Sequence, residues 1–565
     1  MTALLVLATT ANATAVAKEG QSLFRKAAPV ADLQADAPLR FLPNVDDDSG
    51  RCAGPLAQLV KTGFAPDEPA KCHDAADTVV NGPEDAADLT PLRVAAWPQA
   101  PDDATATVTV AGNARLMRDG AQFAGTLTAA ELRAGVELGI EGLDVARAPG
   151  TGGAAFTLTV ASGGETATNT LTGEVAPVLF PDARQAPQTL YARRAPTEKE
   201  VRARIDEAKS VWARIRREMK TKPAEVLKGL PSLKRYRQDP EGLKRFAEQE
   251  IEAAGDGERA WQRFARAYKK TLQKAAPVRD FEGAVFAQDA FETGIAATPR
   301  GSIRVSVLAP GVQSPRLTGR LAAGAAWPYQ ELRGRDKGVV AGDYDATGDL
   351  EPTPPAPGAP LGKLLVGSDP GDAWSKFLAA QGQQPVVEID TSALAVGHVD
   401  EIVAVIPTTT GKGWVLAVAD PGGALKLVPK GERLERGVAR GSRTMAPGLD
   451  ALAARLKTEL DADVVRFPVL FGPGDGGLYA ATGNPVNGVA VGNRTFLAAD
   501  PHGPERGGKD VFKAAIAHAL KGRGVNLRWV DTLPFPHVRL GETHCYTNAV
   551  RDPGALRRWW EAAGA

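Results

Sequence analysis

Cys545 is the residue best suited to covalent chemistry, and it lies in the stretch "RLGETHCYTN". The chain contains only three cysteines, and this one directly follows His544. A cysteine attacks as a thiolate, and it then needs a proton-transfer partner and groups that hold the electrophile. The sequence therefore suggests a nucleophilic thiol at Cys545.

A histidine and two aspartates supply the groups that such a thiol would need. His398 stands two residues before Asp400 in "SALAVGHVDEIVAVIP", and on an extended segment both side chains project to one face. Asp289 follows an apolar, strand-like stretch in "GAVFAQDAFETG". Two carboxylates aimed at one point suit a planar guanidinium group. Each motif alone is usually structural, but the three together predict acid–base chemistry beside a cation-binding pair.

These residues lie far apart in the sequence, so several elements must bring them together. The chain has 565 residues, 43% of them hydrophobic and 24% charged, with 60 glycines and 42 prolines. This length predicts about two to four domains, and the many turn residues favour β-rich or α/β architecture. The net charge of +0 gives no reason to expect a nucleic-acid or membrane partner.

Three kinds of sequence pattern follow one another along the chain. Short alternating runs separated by turns predict an antiparallel β-sandwich over residues 35–174. Charged, helix-periodic sequence, broken near Pro223 and Pro231, predicts a helical insertion over 196–275. Strands alternating with helices then continue to the C-terminus and predict an α/β region.

The beginning of the sequence raises the question of export. Residues 1–15 hold a short apolar core and a small-x-small cleavage pattern, although the basic segment of a signal peptide is missing. Cys52 and Cys72 lie in a loop-rich stretch and are expected to pair in an oxidising compartment. The sequence thus favours a secreted or extracytoplasmic protein, and two free thiols in the cytoplasm are the alternative.

Clustered acids surround the predicted disulfide. Asp46, Asp47 and Asp48 are consecutive, and a second group follows Cys72 in "CHDAADTVVNGPEDAAD". Carboxylates on loops that a disulfide ties together are able to hold Ca²⁺. A solvated acidic turn is an equally good interpretation.

Three segments, in order along the chain, resemble the catalytic segments of the protein-arginine deiminase family. They are "QDAFETG" at 288–294, "VGHVDE" at 396–401 and "GETHCYTN" at 541–548, and "VAPVLFPDARQAPQTLYA" and "GDLEPTPP" agree as well. The similarity covers about 175–565 without the helical insertion. The sandwich is more weakly similar to the immunoglobulin-like middle domain of the family. The resemblance implies a bacterial-type member of the family that lacks the vertebrate N-terminal domain.

The resemblance implies a fold and a set of roles. The region 175–565 would be a pentein, a five-fold pseudosymmetric α/β propeller. Cys545 would attack the guanidinium carbon, His398 would transfer protons, and Asp289 and Asp400 would hold the guanidinium nitrogens. The substrate-binding positions implied by the family pattern are Arg539, Phe286 and Val396.

The resemblance also implies a calcium site and some departures from the vertebrate pattern. The matching calcium positions all offer oxygen donors, which a hard cation prefers, and they are Gln288, Glu292, Thr347, Leu350 and Glu351. Ala290 replaces an acidic ligand of a second ion. Tyr546 stands where the vertebrate pattern has glycine, and Phe286 stands where it often has tryptophan.

The sequence therefore predicts a calcium-linked protein-arginine deiminase that converts peptidyl-arginine to peptidyl-citrulline and ammonia. Its expected partners are arginine-containing proteins or peptides, with no nucleic acid and no membrane. A deiminase or amidinotransferase acting on free arginine or another small guanidine is the alternative enzyme. A calcium-binding protein without activity is the alternative from another class.

Overall fold

The computed structural model describes residues 31–62, 69, 71–283, 285–309, 319–342, 347–368, 371–492 and 494–563. The predicted signal peptide at 1–15 lies outside these residues. Among them, no helix is both long and apolar enough to cross a membrane.

Residues 33–175 form two five-stranded sheets around a shared apolar core. The strands are β1 (Leu33–Gln34), β2 (Arg40–Phe41), β3 (Thr90–Val94), β4 (Thr105–Gly112), β5 (Ala114–Arg118), β6 (Ala121–Gln122), β7 (Thr126–Leu127), β8 (Val136–Gly142), β9 (Gly153–Ser162) and β10 (Glu165–Val175). One sheet has the order β1-β3-β8-β5-β6 and the other β2-β10-β9-β4-β7. Strand β9 shows how the sequence dictates this arrangement, because its alternate residues Ala154, Phe156, Leu158 and Val160 are buried.

Short helices and one disulfide accompany the sheets. The helices are α1 (Ala53–Thr62), α2 (Pro83–Asp88) and α3 (Ala129–Ala134). Cys52 and Cys72 form a disulfide with a Cα–Cα distance of 5.8 Å, which confirms the expected pairing. Cys545 is therefore the free thiol of the chain.

Helices dominate residues 198–272. They are α4 (Glu198–Thr221), α5 (Pro223–Gly229), a 3₁₀ turn (Pro231–Tyr236) and α6 (Pro240–Leu272). Thr197 and Glu200 form a capping box at the start of α4, and a proline opens each of α5 and α6. The last third of α6 buries aromatic residues against the sheets that carry the candidate site.

In the part of the chain that the structure describes, the remaining strands form five small mixed sheets and two hairpins. Grouped by sheet, the strands are β11 (Val178–Leu179), β14 (Phe291–Ala297), β15 (Ser302–Leu308) and β16 (Lys337–Ala341); β12 (Pro187–Arg193), β13 (Val278–Phe281) and β30 (Thr547–Arg551); β17 (Leu350–Pro352), β18 (Leu364–Gly367) and β19 (Val386–Ile389); β20 (Val403–Pro407), β21 (Trp414–Ala419) and β22 (Val464–Phe467); and β25 (Val489–Ala490), β26 (Thr495–Ala499) and β29 (Asn526–Val530). The hairpins pair β23 (Phe471–Gly474) with β24 (Gly477–Ala480) and β27 (Glu505–Arg506) with β28 (Lys509–Asp510).

The helices of this region lie between and after these strands. They are α7 (Gly319–Glu331), α8 (Asp372–Gln381), α9 (Pro421–Leu427), α10 (Arg436–Glu459), α11 (Val511–Ala519), α12 (Thr543–Tyr546) and α13 (Trp559–Ala563). The combination of mixed sheets and helices confirms the α/β class.

The five small sheets repeat one pattern. In each, an inner strand pairs antiparallel with one neighbour and parallel with the other; the inner strands are β12, β15, β18, β21 and β26. Strand β12, near the start of this region, pairs with β30 near its end, so one of the sheets joins the two ends.

This repetition positions the candidate site. A short segment precedes the antiparallel neighbour of each inner strand, namely β14, β17, β20, β25 and β30. These five segments contain Asp289, Gly348, His398, Asn487 and Cys545, respectively. The contacts described next show that the five segments meet at one place.

Candidate active site

Cys545 lies on the short helix α12, just before β30, and only 4% of the residue is exposed. The side-chain amide of Asn487 contacts it twice. Asn487 Nδ2 donates to Cys545 Sγ at 3.1 Å, and the backbone N–H of Cys545 donates to Asn487 Oδ1 at 3.3 Å. The thiol therefore has a fixed orientation.

Asp400 lies directly beside this thiol. Its Oδ2 accepts from the Cys545 thiol at 3.4 Å and from His544 Nδ1 at 2.8 Å. Asp400 is 2% exposed, and its Oδ1 is buried without a hydrogen-bond partner in the described part of the chain. A buried carboxylate oxygen of this kind favours a cationic ligand.

His398 and Asp289 form the other side of the site. His398 Nδ1 lies 3.8 Å from Asp289 Oδ1. Asp289 is tied to the nucleophile segment through its neighbour, because Gln288 N–H donates to the carbonyl of Cys545 at 3.1 Å. The four predicted catalytic residues Asp289, His398, Asp400 and Cys545 thus belong to one connected cluster.

Gly348 fits between these groups because it has no side chain. A Cβ atom at this position would lie 2.7 Å from Asp289 Oδ1 and 2.7 Å from His398 Nδ1. The neighbouring Asp349 Oδ1 accepts from the backbone N–H groups of Val399 at 3.0 Å and Gly367 at 2.8 Å. The turn before β17 therefore lies against His398 through Gly348 and bonds the next residue, Val399, through Asp349.

The electrostatics of the cluster keep the free thiol protonated. Burial, followed by the charges of Asp400 and Asp289, raises the pKa of Cys545 well above its usual value. Burial lowers the pKa of His398, but the nearby carboxylates, led by Asp400 and Asp289, outweigh this effect and raise it overall. A cationic ligand between the two aspartates would lower the pKa of the thiol. The site is thus complementary to a positive charge.

Sequence reasoning did not assign roles to three residues of this cluster, namely Asn487, His544 and Gly348. Burial lowers the pKa of His544, but its hydrogen bond to Asp400 together with the charges of Asp400, Glu351 and Glu292 outweighs this effect and raises the pKa overall. The adjacency of His544 to Cys545 was a visible signal. Asn487 stands in the loop sequence "GNPVNG", which has no local feature to separate it from an ordinary turn.

The three predicted substrate-binding residues differ in their exposure to solvent. Phe286 is partly buried, and a Cβ at Gly541 would lie 2.4 Å from its ring and 3.1 Å from Cys545 Cβ, so the ring is near the thiol. Val396 is 36% exposed, two residues before His398. Arg539 is exposed at the end of a 3₁₀ turn.

The predicted calcium residues surround a small interior cavity. Four of them, Gln288, Glu292, Leu350 and Glu351, line a space of about 30 Å³ together with His544 and Arg551. Thr347 adjoins it, because Gln288 Nε2 lies 3.5 Å from the Thr347 carbonyl oxygen.

This cavity has the chemistry of a cation site. Burial raises the pKa of Glu292 to about 7 and also raises the pKa of Glu351, so both carboxylates lack full compensation for their charge. Gln288 Nε2 donates to Glu292 Oε2 at 2.7 Å, so the amide would have to turn to offer its oxygen to a cation. Two carboxylates, an amide and backbone carbonyls fit a hard cation.

A second acidic group lies in the sandwich region. One carboxylate oxygen from each of Asp46, Asp48 and Asp74 falls within 4.8 Å of the others. Asp46 is fully buried, and neither of its carboxylate oxygens has a hydrogen-bond partner among the described residues. Burial and the neighbouring acids Asp88, Asp48 and Asp74 raise its pKa to about 10.

The fold and site thus define an α/β protein with a buried cysteine, a histidine and two aspartates arranged around a cation-complementary centre. The family model "Protein-arginine deiminase (PAD)" matches residues 259–447 and 449–561, together more than half of the chain. The chain belongs to the protein-arginine deiminase family.

Among the curated relatives, protein-arginine deiminase type-3 of Rattus norvegicus is 28% identical over 48% of this chain and 47% of its own length. Type-1 of Homo sapiens is 29% identical over the same shares of the two chains. The chain thus spans about half the length of the curated relatives it matches. An agmatine deiminase of C. jejuni has 10% sequence identity and a TM-score of 0.36, with 66% of this chain and 96% of its own chain covered. This level of similarity says nothing further about this protein.

These matches correct one expectation from the sequence. The interpretation as a bacterial-type member without the vertebrate N-terminal domain is not supported, because the aligned parts cover only 47% of the relatives and say nothing about the rest. The match to the family model begins at residue 259, inside α6.

Proposed function

We propose that this protein is a protein-arginine deiminase that hydrolyses peptidyl-arginine to peptidyl-citrulline and ammonia. The observation that carries the proposal is the meeting of Cys545, His398, Asp289 and Asp400 in one buried cluster. A thiol, an imidazole and two carboxylates supply a nucleophile, a proton carrier and a binding pair for a guanidinium cation. Family membership supports the same reaction.

Substrate charge would activate the nucleophile. In the free protein, burial and the two aspartates hold the thiol protonated. A guanidinium bound between Asp289 and Asp400 neutralises their charges, so the pKa of Cys545 falls and the thiolate forms next to the carbon that it attacks. Asn487 Nδ2, which donates to Cys545 Sγ at 3.1 Å, would stabilise the thiolate.

The reaction then takes two steps at one carbon. Cys545 Sγ adds to the guanidinium carbon, His398 donates a proton to one nitrogen, and ammonia leaves with its C–N bond electrons. The product of this step is a thiouronium bound to the enzyme. Water then adds to the same carbon while His398 accepts one proton, and the C–S bond breaks to release peptidyl-citrulline and the Cys545 thiolate. The second proton passes to the released ammonia, which leaves as ammonium.

We propose that Gln288, Glu292, Thr347, Leu350 and Glu351 hold Ca²⁺ during this reaction. A bound cation would supply positive charge that keeps Glu292 and Glu351 ionised and close together. The turn that carries Thr347 also carries Gly348, which lies against Asp289 and His398. Ordering of this turn would therefore fix the binding pair. The acidic group Asp46, Asp48 and Asp74 is proposed as a further calcium site.

We also propose that residues 175–565 form a pentein and that residues 35–174 form an immunoglobulin-like sandwich. The five sheets with one pairing pattern support the pentein, and the two packed sheets support the sandwich. The helical segment 196–275 would be an insertion in the pentein. The Cys52–Cys72 disulfide supports a secreted or extracytoplasmic location.

Citrulline formation tests the proposed function. The protein is incubated with a blocked arginine ester or with free arginine, each with Ca²⁺ or with a chelator, and the Cys545→Ala variant serves as the control. The proposal predicts citrulline from the blocked ester in Ca²⁺ only. Turnover of free arginine alone would favour a small-guanidine deiminase, and no citrulline from either substrate would overturn the proposal.

A further inference from the structure

The last third of α6 packs directly against the turn that carries Cys545. Tyr546 is fully buried, and its ring lies 5.1 Å from the ring of Phe264 in an edge-to-face arrangement. Trp261 stacks on Phe535 at 5.4 Å, and Tyr268 contacts the Tyr546 ring at 5.9 Å. An aromatic layer from one helix therefore covers the residue next to the nucleophile.

Hydrogen bonds also join α6 to the residues around Cys545. Trp261 Nε1 donates to the Tyr546 hydroxyl at 2.9 Å, and that hydroxyl donates to the carbonyl of Arg193 at 2.8 Å. The Tyr268 hydroxyl lies 2.8 Å from Thr547 Oγ1 and 3.3 Å from the carbonyl oxygen of Thr543. Helix α6 thus contacts the chain on both sides of Cys545.

These bonds are costly to leave unmade, because they join buried groups. Tyr268 is 2% exposed and Tyr546 is fully buried, so a lost hydroxyl partner is not replaced by bulk water. The hydroxyl of Tyr546 joins Trp261 to the carbonyl of Arg193, and a residue without this hydroxyl could not make the connection.

We propose that Trp261 and Tyr268 are positioning residues that hold the Cys545 turn in its reactive geometry. Trp261 acts through the hydroxyl of Tyr546, and Tyr268 acts through Thr543 and Thr547. The effect on turnover rests on the proposed deiminase function. The effect on the thiol itself does not, because Cys545 is the free cysteine and its alkylation can be followed without any substrate.

Conservative variants remove the bonds and keep an aromatic ring at each position. Trp261→Phe removes the indole N–H together with part of the ring, whereas Tyr268→Phe removes one hydroxyl only. Tyr236→Phe is the matched control, because Tyr236 lies in the 3₁₀ turn before α6 and packs in a separate apolar cluster, stacked on Phe246 at 5.2 Å. All variants are compared below their unfolding temperatures, with circular dichroism to show that they are folded.

The expected result has two parts. In each positioning variant, kcat for the blocked arginine ester falls about fivefold while KM changes less than about twofold, since the turn is misplaced but the guanidinium site is intact. Alkylation of Cys545 by iodoacetamide, without substrate, becomes about fivefold faster because the buried turn opens more often. A general loss of folded protein would also expose the thiol, but it would lower the circular dichroism signal as well, so faster alkylation at full signal reports opening of the turn alone.

Equal kcat and equal alkylation rates in Trp261→Phe, Tyr268→Phe and the Tyr236→Phe control would overturn the proposal. If the parent protein forms no citrulline, the proposed function fails, and the alkylation rates still decide whether α6 holds the turn. Faster alkylation in the two positioning variants alone supports the inference in that case as well.

Discussion

Cys545 combines two properties that usually exclude each other, because it is buried and it is proposed to react. A buried cysteine normally behaves as a small apolar side chain. Here its neighbours are Asp400 and Asn487, which contact Sγ at 3.4 and 3.1 Å. A thiol among polar partners is prepared for ionisation once a cation enters.

Replacement of Cys545 by alanine should abolish citrulline formation and leave the fold intact. The variant removes the nucleophile, whereas the surrounding contacts of Asp400 with His544 do not depend on the sulfur. Citrulline release and the thermal unfolding midpoint measure the two effects. Activity above a few per cent of the parent protein would contradict the assignment, and Cys545→Ser provides a control of similar side-chain volume.

Replacement of either aspartate should have opposite effects on two rates, since it should slow turnover and speed alkylation of the thiol. Asp289→Asn and Asp400→Asn should each lower kcat/KM at least about a hundredfold, because each removes one charge that pairs with a buried guanidinium. The same changes should make alkylation of Cys545 faster near pH 8, since both charges raise the pKa of the thiol. Slower alkylation, or near-normal turnover, would argue against a binding pair beside the thiol.

At the scale of elements, the site depends on five segments in equivalent places of five sheets. The α/β class and the cysteine, histidine and aspartates could be found from the sequence because periodicity and motif residues are local properties. The contribution of Asn487 could not be found, because it arises only when the segment before β25 meets the segment before β30. Gly348 was missed for the same reason, since what matters is the space that its side chain would fill.

Gly348→Ala should impair the binding pair specifically. The new methyl group would lie 2.7 Å from both Asp289 Oδ1 and His398 Nδ1, so one of these side chains must move. A shift of this size at a positioned group is expected to reduce kcat/KM by about tenfold or more. Steady-state kinetics with the blocked arginine ester measure the loss.

Gly257→Ala is the matched control for this change. Gly257 lies within α6, and no other atom is within 4 Å of a Cβ at that position, apart from its chain neighbours and the helix backbone. This variant should keep full activity and gain slightly in helix stability. Equal kinetics for the two alanine variants would mean that the contact between Gly348, Asp289 and His398 has no catalytic importance.

At the scale of the whole molecule, buried acids occur in several places of the described chain, and two of these are the sandwich loops and the cavity behind the candidate active site. Burial raises the pKa of Glu292 to about 7, of Asp74 to about 7 and of Asp88 to about 8. Both groups therefore carry carboxyls that resist ionisation in the metal-free fold. Their charge state links metal binding to the stability of the chain.

The metal-free protein should lose stability as the pH rises from about 4 to about 8. In this range the unfolded chain has already released the protons of these acids, whereas the folded protein still holds them, so a rising pH favours unfolding. The raised pKa of His398 acts in the same direction, since its stabilising contribution is complete below about pH 6.5 and is lost as the pH rises through the folded value. Thermal unfolding midpoints in chelator, measured from pH 5 to pH 8, should fall steadily.

Calcium should reverse this trend, because a bound cation favours the ionised carboxylates. The rise in unfolding midpoint on adding Ca²⁺ should be large at pH 8 and small at pH 5, where protons compete with the metal. Glu292→Gln and Asp74→Asn each remove one raised carboxyl, so each should flatten the pH dependence in chelator and reduce the gain from Ca²⁺. Comparison of the two variants distinguishes calcium binding in the cavity behind the active site from calcium binding at the sandwich loops. A midpoint that is independent of both pH and Ca²⁺ would show that neither acidic group binds calcium, and the proposed deiminase would then be independent of the metal.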